Sequence, residues 1–416
     1  MELIMENIRC FAGEHRIPVK PLTFLVGENS TGKTTFLAML STVLNSDILL
    51  STPRFNQPPY NLGNFNTVAT SKGDDTGYLP SIKIGYRHSG GEAVATYMGN
   101  SGQTVISKLA LNTTDVRLDL TFDTLSTEAT FSIRVTNNIE GTVQQFKGLN
   151  RNKWGSDLVN TDFMIYTQAI NEQSHNPESL NAISQAVRMF MPYRVFFPSK
   201  SIAPIRIKPQ RTYDEVTREF SPEGNDVPFV LQDVLNDPQK RGILERFGNE
   251  SGLFSSLDLK MLQGGLGEPR QIAVTNVGQT TPVNLVDVGY GVSQVLPVLI
   301  QSILTSPETM LLLQQPEVHL HPRAQAALGT LFVDLVQQNK NQFVVETHSD
   351  YILDRVRQEV AKGKIPAEDV SILYFERQGY EAKVYPIDLD ENGNILNAPP
   401  TYRDFFLREE MNLLSR

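Results

Sequence analysis

The chain has 416 residues, 40% of them hydrophobic, with a single cysteine and a formal net charge of −9. That length suits two domains, or one domain with large insertions, and the apolar content is ample for a core. One cysteine excludes an intramolecular disulfide and a cysteine-based zinc site, and a pI of 5.3 argues against a surface coated with nucleic acid while leaving room for a local basic patch.

Met1–Cys10 carries Glu2, Glu6 and Arg9, so no secretory leader is expected there. With one cysteine, a reducing, cytoplasmic setting is expected. Met1–Ile17 alternates apolar and polar residues around Ile4, Ile8, Phe11 and Ile17 and reads as a β-hairpin. Leu22–Val26 reads as a short buried strand, and Thr34–Leu44 as a helix with Phe36, Leu37, Leu40 and Leu44 on one side.

Between that strand and that helix lies Gly27-Glu28-Asn29-Ser30-Thr31-Gly32-Lys33-Thr34-Thr35, which fits the P-loop pattern. Its glycines let backbone N–H groups wrap a phosphate, and the helix N-terminus adds positive field. Lys33 would reach the β and γ phosphates, and the Thr34 hydroxyl would bind Mg²⁺. The plain alternative is a glycine-containing turn before a helix.

Ser51–Gly77 is rich in Pro, Asn, Gly and Thr and reads as a loop, with Gln57 a weak candidate for sensing a γ-phosphate. Ile82–Tyr86, Ala93–Met98, Thr104–Leu109, Val116–Phe122 and Ala129–Val135 read as strands of an antiparallel β-rich lobe. Glu178–Met191 has helical spacing. The stretch Tyr193–Arg211 holds Arg194, Lys200, Arg206, Lys208 and Arg211 with no acidic residue. It reads either as a contact for nucleic acid or an acidic partner, or as a strand and loop whose basic side chains are solvated or paired within the fold. Val227–Leu262 reads as mostly helical, with breaks at Asp237-Pro238 and Gly248.

Ile272–Val274 and Val283–Val286 are expected to be short strands. Asp287–Leu299 then runs from a glycine-rich turn into an apolar helix, a second helix N-terminus able to hold phosphate. Two such termini so far apart in sequence suggest a composite site completed between two chains. The most apolar run, Val295–Leu304, contains Gln301 and is too short to span a bilayer, so no membrane insertion is expected. Met310–Leu313 and Gln342–Val345 read as buried strands, each followed by a polar tip and a helix (Ala324–Gln337, Tyr351–Val360). Strand, polar tip and helix in repetition is the parallel α/β pattern, whose sites lie at the carboxyl ends of strands. Val370–Phe375 and Ala382–Ile387 read as a final hairpin. The Asp388–Gly393 segment opens like a calcium loop, but its twelfth position is Pro399, so a turn on Asn392-Gly393 accounts for it better.

These landmarks, in this order, resemble the nucleotide-binding heads of the ABC superfamily, and most of all the stand-alone group of RecF, Rad50 and SMC heads and the OLD-type ATPases of anti-phage systems. Gly27–Thr34 looks like Walker A, Gly289–Gln294 like the signature loop, and Leu311–Gln315 like Walker B. His319–Gln325 looks like the D-loop, and His348 like the switch histidine. The resemblance implies an α/β, ABC-type P-loop ATPase head, a mixed sheet with helices formed by residues 1–45 and 272–416. It would carry a β-rich arm over 46–192 and a mostly helical insertion over 193–271. It implies ATP and Mg²⁺ as cofactors, with Thr34 and Gln314 at the metal and Gln314, Gln315, Glu317 and His348 catalytic. Gly27–Thr35 would hold phosphate, joined by Gly289 and Gly291, or Ser293, in the signature turn.

One departure matters. The family normally has a carboxylate at position 314, whereas Gln314 and Gln315 are both amides. An amide preserves shape without the charge that orients water and holds a Mg²⁺ shell. Either Glu317 compensates, or the chain binds ATP and hydrolyses it poorly, as a Glu→Gln trapping substitution at Gln314 would cause. The resemblance further implies a homodimer or higher oligomer through the ATP sites, controlling a separate effector, such as a nuclease, in phage defence. The alternative it offers is a DNA repair or maintenance ATPase that binds duplex DNA directly. The energising subunit of a membrane transporter is a third class, disfavoured because its Walker A and signature lie closer together than Gly27 and Gly289.

Overall fold

The computed structural model describes residues 1–45, 53, 55–71, 77, 79–100, 103–122, 129–137, 143–150, 199–214, 218–262, 269–307 and 309–402. The helix expected over Glu178–Met191, and Arg194, lie outside them. The chain opens with strands β1 (Glu2–Ile8), β2 (Phe11–Pro18) and β3 (Leu22–Gly27), then helix α1 (Lys33–Asn45) and a short α2 (Phe65–Val68). Strands β4 (Ser81–His88), β5 (Gly91–Asn100), β6 (Gln103–Asn112), β7 (Val116–Phe122), β8 (Ala129–Asn137) and β9 (Val143–Asn150) follow. After β10 (Ser199–Ile202) come α3 (Val227–Leu235), α4 (Pro238–Ser251), β11 (Ser256–Met261), β12 (Arg270–Thr275) and β13 (Val283–Asn284). The last part runs α5 (Tyr290–Leu304), β14 (Met310–Gln314), α6 (Pro322–Asn339), β15 (Gln342–Glu346), α7 (Asp350–Ala361), β16 (Val370–Gln378), β17 (Glu381–Leu389) and β18 (Ile395–Leu396).

The chain divides into two compact units. One comprises Met1–Val19, Ser30–Ser199 and Arg377–Lys383; the other comprises Lys20–Asn29, Lys200–Glu376 and Val384–Arg416. The first is built on an eight-stranded sheet in the order β2-β1-β4-β5-β6-β7-β8-β9. Its antiparallel strands show the two-residue period of a sheet with one covered face. In β7, Val116, Leu118 and Leu120 are buried, while Arg117 pairs with Asp119 on the opposite face at 2.8 Å. All five expected strands of the lobe are present, and β9 is an addition.

The opening hairpin extends the sheet of the β-rich lobe: β1 pairs with β4 in register Leu3↔Tyr86 and Met5↔Ile84. A hairpin has two free edges, and this one satisfies an edge with the next antiparallel strand, a choice made by pairing rather than by local pattern.

The second unit has a seven-stranded sheet in the order β10-β14-β15-β3-β16-β17-β18. Its centre is parallel: β14 runs beside β15, β15 beside β3, and β3 beside β16. Every residue of β14 is buried, as expected where helices cover both faces. Leu311, Leu313, Phe343, Val345, Phe24 and Val26 pack with Leu296, Leu299, Phe332 and Ile352 from the helices into one core. The Asp388–Leu396 turn is a hairpin joining β17 to β18, with Gly393 at φ 73°.

Three expectations change in this unit. Ser256–Met261, within the stretch expected to be mostly helical, is a strand paired antiparallel with β12, with Leu257 buried between the half-covered Ser256 and the exposed Asp258. Gly248 is not a break. It lies inside α4, where an added Cβ would come within 2.4 Å of the Phe254 ring, so glycine serves close packing. The breaks are Asp237, whose carboxylate caps α4, and Gly252, in the left-handed conformation at its end. The strand expected over Val283–Val286 is confined to Val283–Asn284; Asn284 then caps a 3₁₀ turn at Leu285–Asp287.

Candidate functional site

The P-loop segment has the backbone its glycines predict. Gly27 stands at φ 137°, Ser30 at φ 62° and Gly32 at φ 104°, and α1 begins at Lys33. A Cβ on Gly27 would lie 2.2 Å from the Phe375 carbonyl oxygen of the neighbouring strand, so no other residue fits at this strand end. A Cβ on Gly32 would lie 2.9 Å from the Cys10 sulfur. Phe36 N–H donates to the Gly32 carbonyl at 2.9 Å, closing the first turn of α1. Helix N-termini leave N–H groups without intrahelical partners, and here a left-handed turn precedes them, the arrangement that holds anions. Thr31, Lys33 and Thr35 are buried, whereas Glu28, Asn29, Ser30 and Thr34 are exposed.

In the second unit, the parallel register sets Gln314 beside Glu346 and Glu346 beside Leu25, so the carboxyl ends of β14, β15 and β3 align. Past Gln314, 6% exposed, the chain leaves the sheet through Gln315, a non-glycine residue at φ 44°. Gln315 N–H donates to the Glu346 carbonyl at 2.8 Å. Glu317 is 8% exposed; its Oε1 accepts from the backbone N–H of His348 at 2.8 Å. Its Oε2 is buried with no hydrogen-bond partner among the described residues. Burial pushes the Glu317 carboxyl above the usual glutamate range, opposed by hydrogen bonds and by the charge of Arg206. The His348 side chain is exposed at the head of α7, whose cap is Ser349. Gln325 binds the neighbouring turn together, donating to the Leu320 carbonyl at 2.7 Å while its Oε1 accepts from the Ser349 hydroxyl at 2.6 Å.

Of the positions expected to face phosphate in the glycine turn, Gly289 is the exposed cap of α5 with open space around it. Gly291 packs under the His319 carbonyl, where an added Cβ would approach to 2.8 Å. Ser293 is 5% exposed and its hydroxyl donates to the Tyr290 carbonyl at 2.8 Å, so it does not face outward here. The Tyr290 ring meets the His319 ring edge-on at 5.0 Å between centroids, joining this turn to the loop after β14.

The basic stretch is not a charged stripe. Arg206 is 3% exposed and donates to the carbonyls of Gln294 at 3.3 Å, Gln314 at 3.1 Å and Gln315 at 3.1 Å. Burial lowers its pKa to about 10. Lys200 donates to Gln301 Oε1 at 3.2 Å and lies over the Phe220 ring. Arg211 makes a two-pronged pair with Asp287, at 2.7 and 3.0 Å. Lys208 alone of these described residues is exposed without a described pairing in the structure. Lys200, Arg206 and Arg211 follow the reading in which the basic side chains pair within the fold; what the sequence did not show is that Arg206 is buried, its one signal being an arginine within the otherwise uncharged run Ser201–Ile207.

Among the described residues, no group of three His, Cys, Asp or Glu side chains is placed to hold a metal ion. Positive-φ backbone at Gly27, Ser30 and Gly32 ahead of the start of α1 is of the kind that accepts phosphate oxygens. Gln314, expected at the metal, offers a neutral amide oxygen where a carboxylate would bind Mg²⁺ more strongly. No helix among the described residues is long and apolar enough to cross a membrane.

A P-loop between strand and helix, with polar residues at the carboxyl ends of adjacent parallel strands, defines an α/β protein of the P-loop NTPase class. A family model described as "AAA domain" matches residues 2–218, more than half of the chain. The chain belongs to that AAA domain family. A second model, described as "AAA domain, putative AbiEii toxin, Type IV TA system", matches residues 199–354, and a "Protein of unknown function (DUF3696)" model matches residues 365–404. No curated protein matches. Among solved structures, the chain is similar to an Smc head bound to the C-winged helix domain of ScpA, at 13% identity and TM-score 0.44, covering 94% of this chain and 98% of that one. It is also similar to the SMC head domain from Thermotoga maritima, at 12% identity and TM-score 0.38, covering 93% and 98%. A third is an Smc head with an extended coiled coil bound to the C-terminal domain of ScpA derived from Pyrococcus furiosus, at 11% identity and TM-score 0.41, covering 99% and 98%. At these values the likenesses carry no functional weight.

Proposed function

We propose that this protein is an ATP-binding, ABC-type ATPase whose two copies grip nucleotide jointly. The P-loop of one copy would hold the phosphates, and the Gly289 end of α5 in the other would complete the site. The observation that carries this reading is the left-handed backbone at Gly27, Ser30 and Gly32 running directly into the start of α1 at Lys33. Glu317 is the carboxylate left to prepare an attacking water, because Gln314 and Gln315 bring no charge. Hydrolysis is then slow, and the nucleotide acts as a holding signal more than as a fuel. In this reading the closed pair controls a separate effector protein in defence against phage. The toxin–antitoxin class in the description of the second family model is in keeping with that setting.

For the alternative DNA-maintenance reading, Lys200, Arg206 and Arg211 are engaged within the chain, which leaves Lys208 as the exposed cation among the described residues of the basic stretch. Titration with a fluorescent ATP analogue, with sedimentation in the presence and absence of ATP, tests the proposal. The parent should bind and pair, and Lys33→Ala should lose about 1.5–3 kcal/mol of binding, roughly ten- to a hundredfold. A parent that neither binds nor pairs overturns it.

A further inference from the structure

Arg206 is an expensive residue to bury. A guanidinium taken out of water needs several good acceptors, and this one finds three backbone carbonyls. They belong to two elements far apart in the chain. Gln294 lies in the first turns of α5, whereas Gln314 and Gln315 form the tip of β14.

The geometry at the tip is specific. One terminal nitrogen of Arg206 serves the Gln314 and Gln315 carbonyls together, at 3.1 Å each. Both can point at it only because Gln315 adopts its left-handed conformation. That same turn sends the chain toward Glu317, which is tied to His348. The other terminal nitrogen reaches Gln294, five residues past the exposed cap Gly289. A planar fork with fixed spacing can do this; a lysine, with one point of charge, cannot reach all three acceptors in the same way.

We infer that Arg206 is a positioning residue that locks the first turns of α5 to the strand tip Gln314–Gln315, so that the two respond to nucleotide as one body. This rests on the two-copy reading proposed above. There the α5 end meets the neighbour's nucleotide, and the strand tip meets the chain's own. Arg206 then carries the state of one site to the other, and pairing of the copies depends on it while first binding of nucleotide does not.

The test compares the parent with Arg206→Lys, which keeps charge and bulk but loses the fork, and with Arg206→Met. Binding of a fluorescent ATP analogue, ATP-dependent pairing by sedimentation, and amide hydrogen exchange are measured on each full chain. In the parent, ATP should slow exchange at Tyr290–Gln294 and at Val318 and His348 together. Arg206→Lys should bind the analogue as the parent does, pair at least about fivefold more weakly, and show protection at Val318 and His348 without the matching change at Tyr290–Gln294. A purely structural role would lower binding and pairing alike. Equal pairing and joint protection in Arg206→Lys overturns the inference. If the variants fail to fold, the parent still decides: independent changes at the two segments, in a parent that binds and pairs, overturn the coupling alone. A parent that binds no analogue overturns the nucleotide reading and the coupling with it.

Discussion

Glu317 and His348, 31 positions apart, are joined by a hydrogen bond from the His348 backbone N–H to Glu317 Oε1 at 2.8 Å. The bond ties the loop after β14 to the turn after β15, and it leaves the second carboxylate oxygen buried and unpaired among the described residues. A buried carboxylate with one oxygen unpaired is costly to stability.

Because burial raises the Glu317 carboxyl above its ordinary range, the folded chain holds that proton more tightly than the unfolded chain. Its contribution to stability is present at low pH and falls as pH rises through the interval between the ordinary and the raised value. Glu317→Gln removes that dependence. The melting temperature of the variant relative to the parent should climb as pH rises above the ordinary glutamate range, while any ATP turnover falls about 10²–10⁴-fold. A flat difference in melting temperature, or one that declines, contradicts the assignment.

Gln314→Glu restores a carboxylate at the buried end of β14. Turnover of ATP should rise by about 10²-fold over the parent, measured as phosphate release under saturating ATP. Equal rates would show that the amide at 314 is not what limits hydrolysis.

Gly27→Ala puts a methyl group 2.2 Å from the Phe375 carbonyl at a φ that disfavours side chains. The loss should be of order 1–3 kcal/mol in urea unfolding, with nucleotide binding lost as well. A variant as stable as the parent would mean that the strand end relaxes freely.

Cys10 sits against Gly32 of the P-loop, and burial raises its thiol, so it should react slowly with maleimide. Saturating ATP should slow labelling further, by about tenfold, because ligand stabilises the closed form by mass action. The readout is mass spectrometry of the intact chain; labelling indifferent to ATP argues against nucleotide at this turn.

Neutralising Lys200, Lys208 and Arg211 together should leave affinity for duplex DNA, and its slope with salt, unchanged. Loss of about three phosphate contacts would instead lower that slope by nearly three units and revive the DNA-maintenance reading.

Much of this protein is written locally. The P-loop could be read from Gly27, Gly32, Lys33 and Thr34 because its conformation needs those residue types at that spacing. The parallel strands showed as short apolar runs ending in polar tips, and the lobe showed as two-residue alternation with turns between. What tertiary structure alone decided is where segments distant in sequence meet. The opening hairpin joined β4, Ser256–Met261 became a strand by pairing with β12, and Ser293 turned inward to the Tyr290 carbonyl. Arg206 is the clearest case: it bonds to carbonyls 88, 108 and 109 positions away. Every residue carries a backbone carbonyl, so nothing in the side chains marks those three as partners; only the folded chain brings them to the guanidinium.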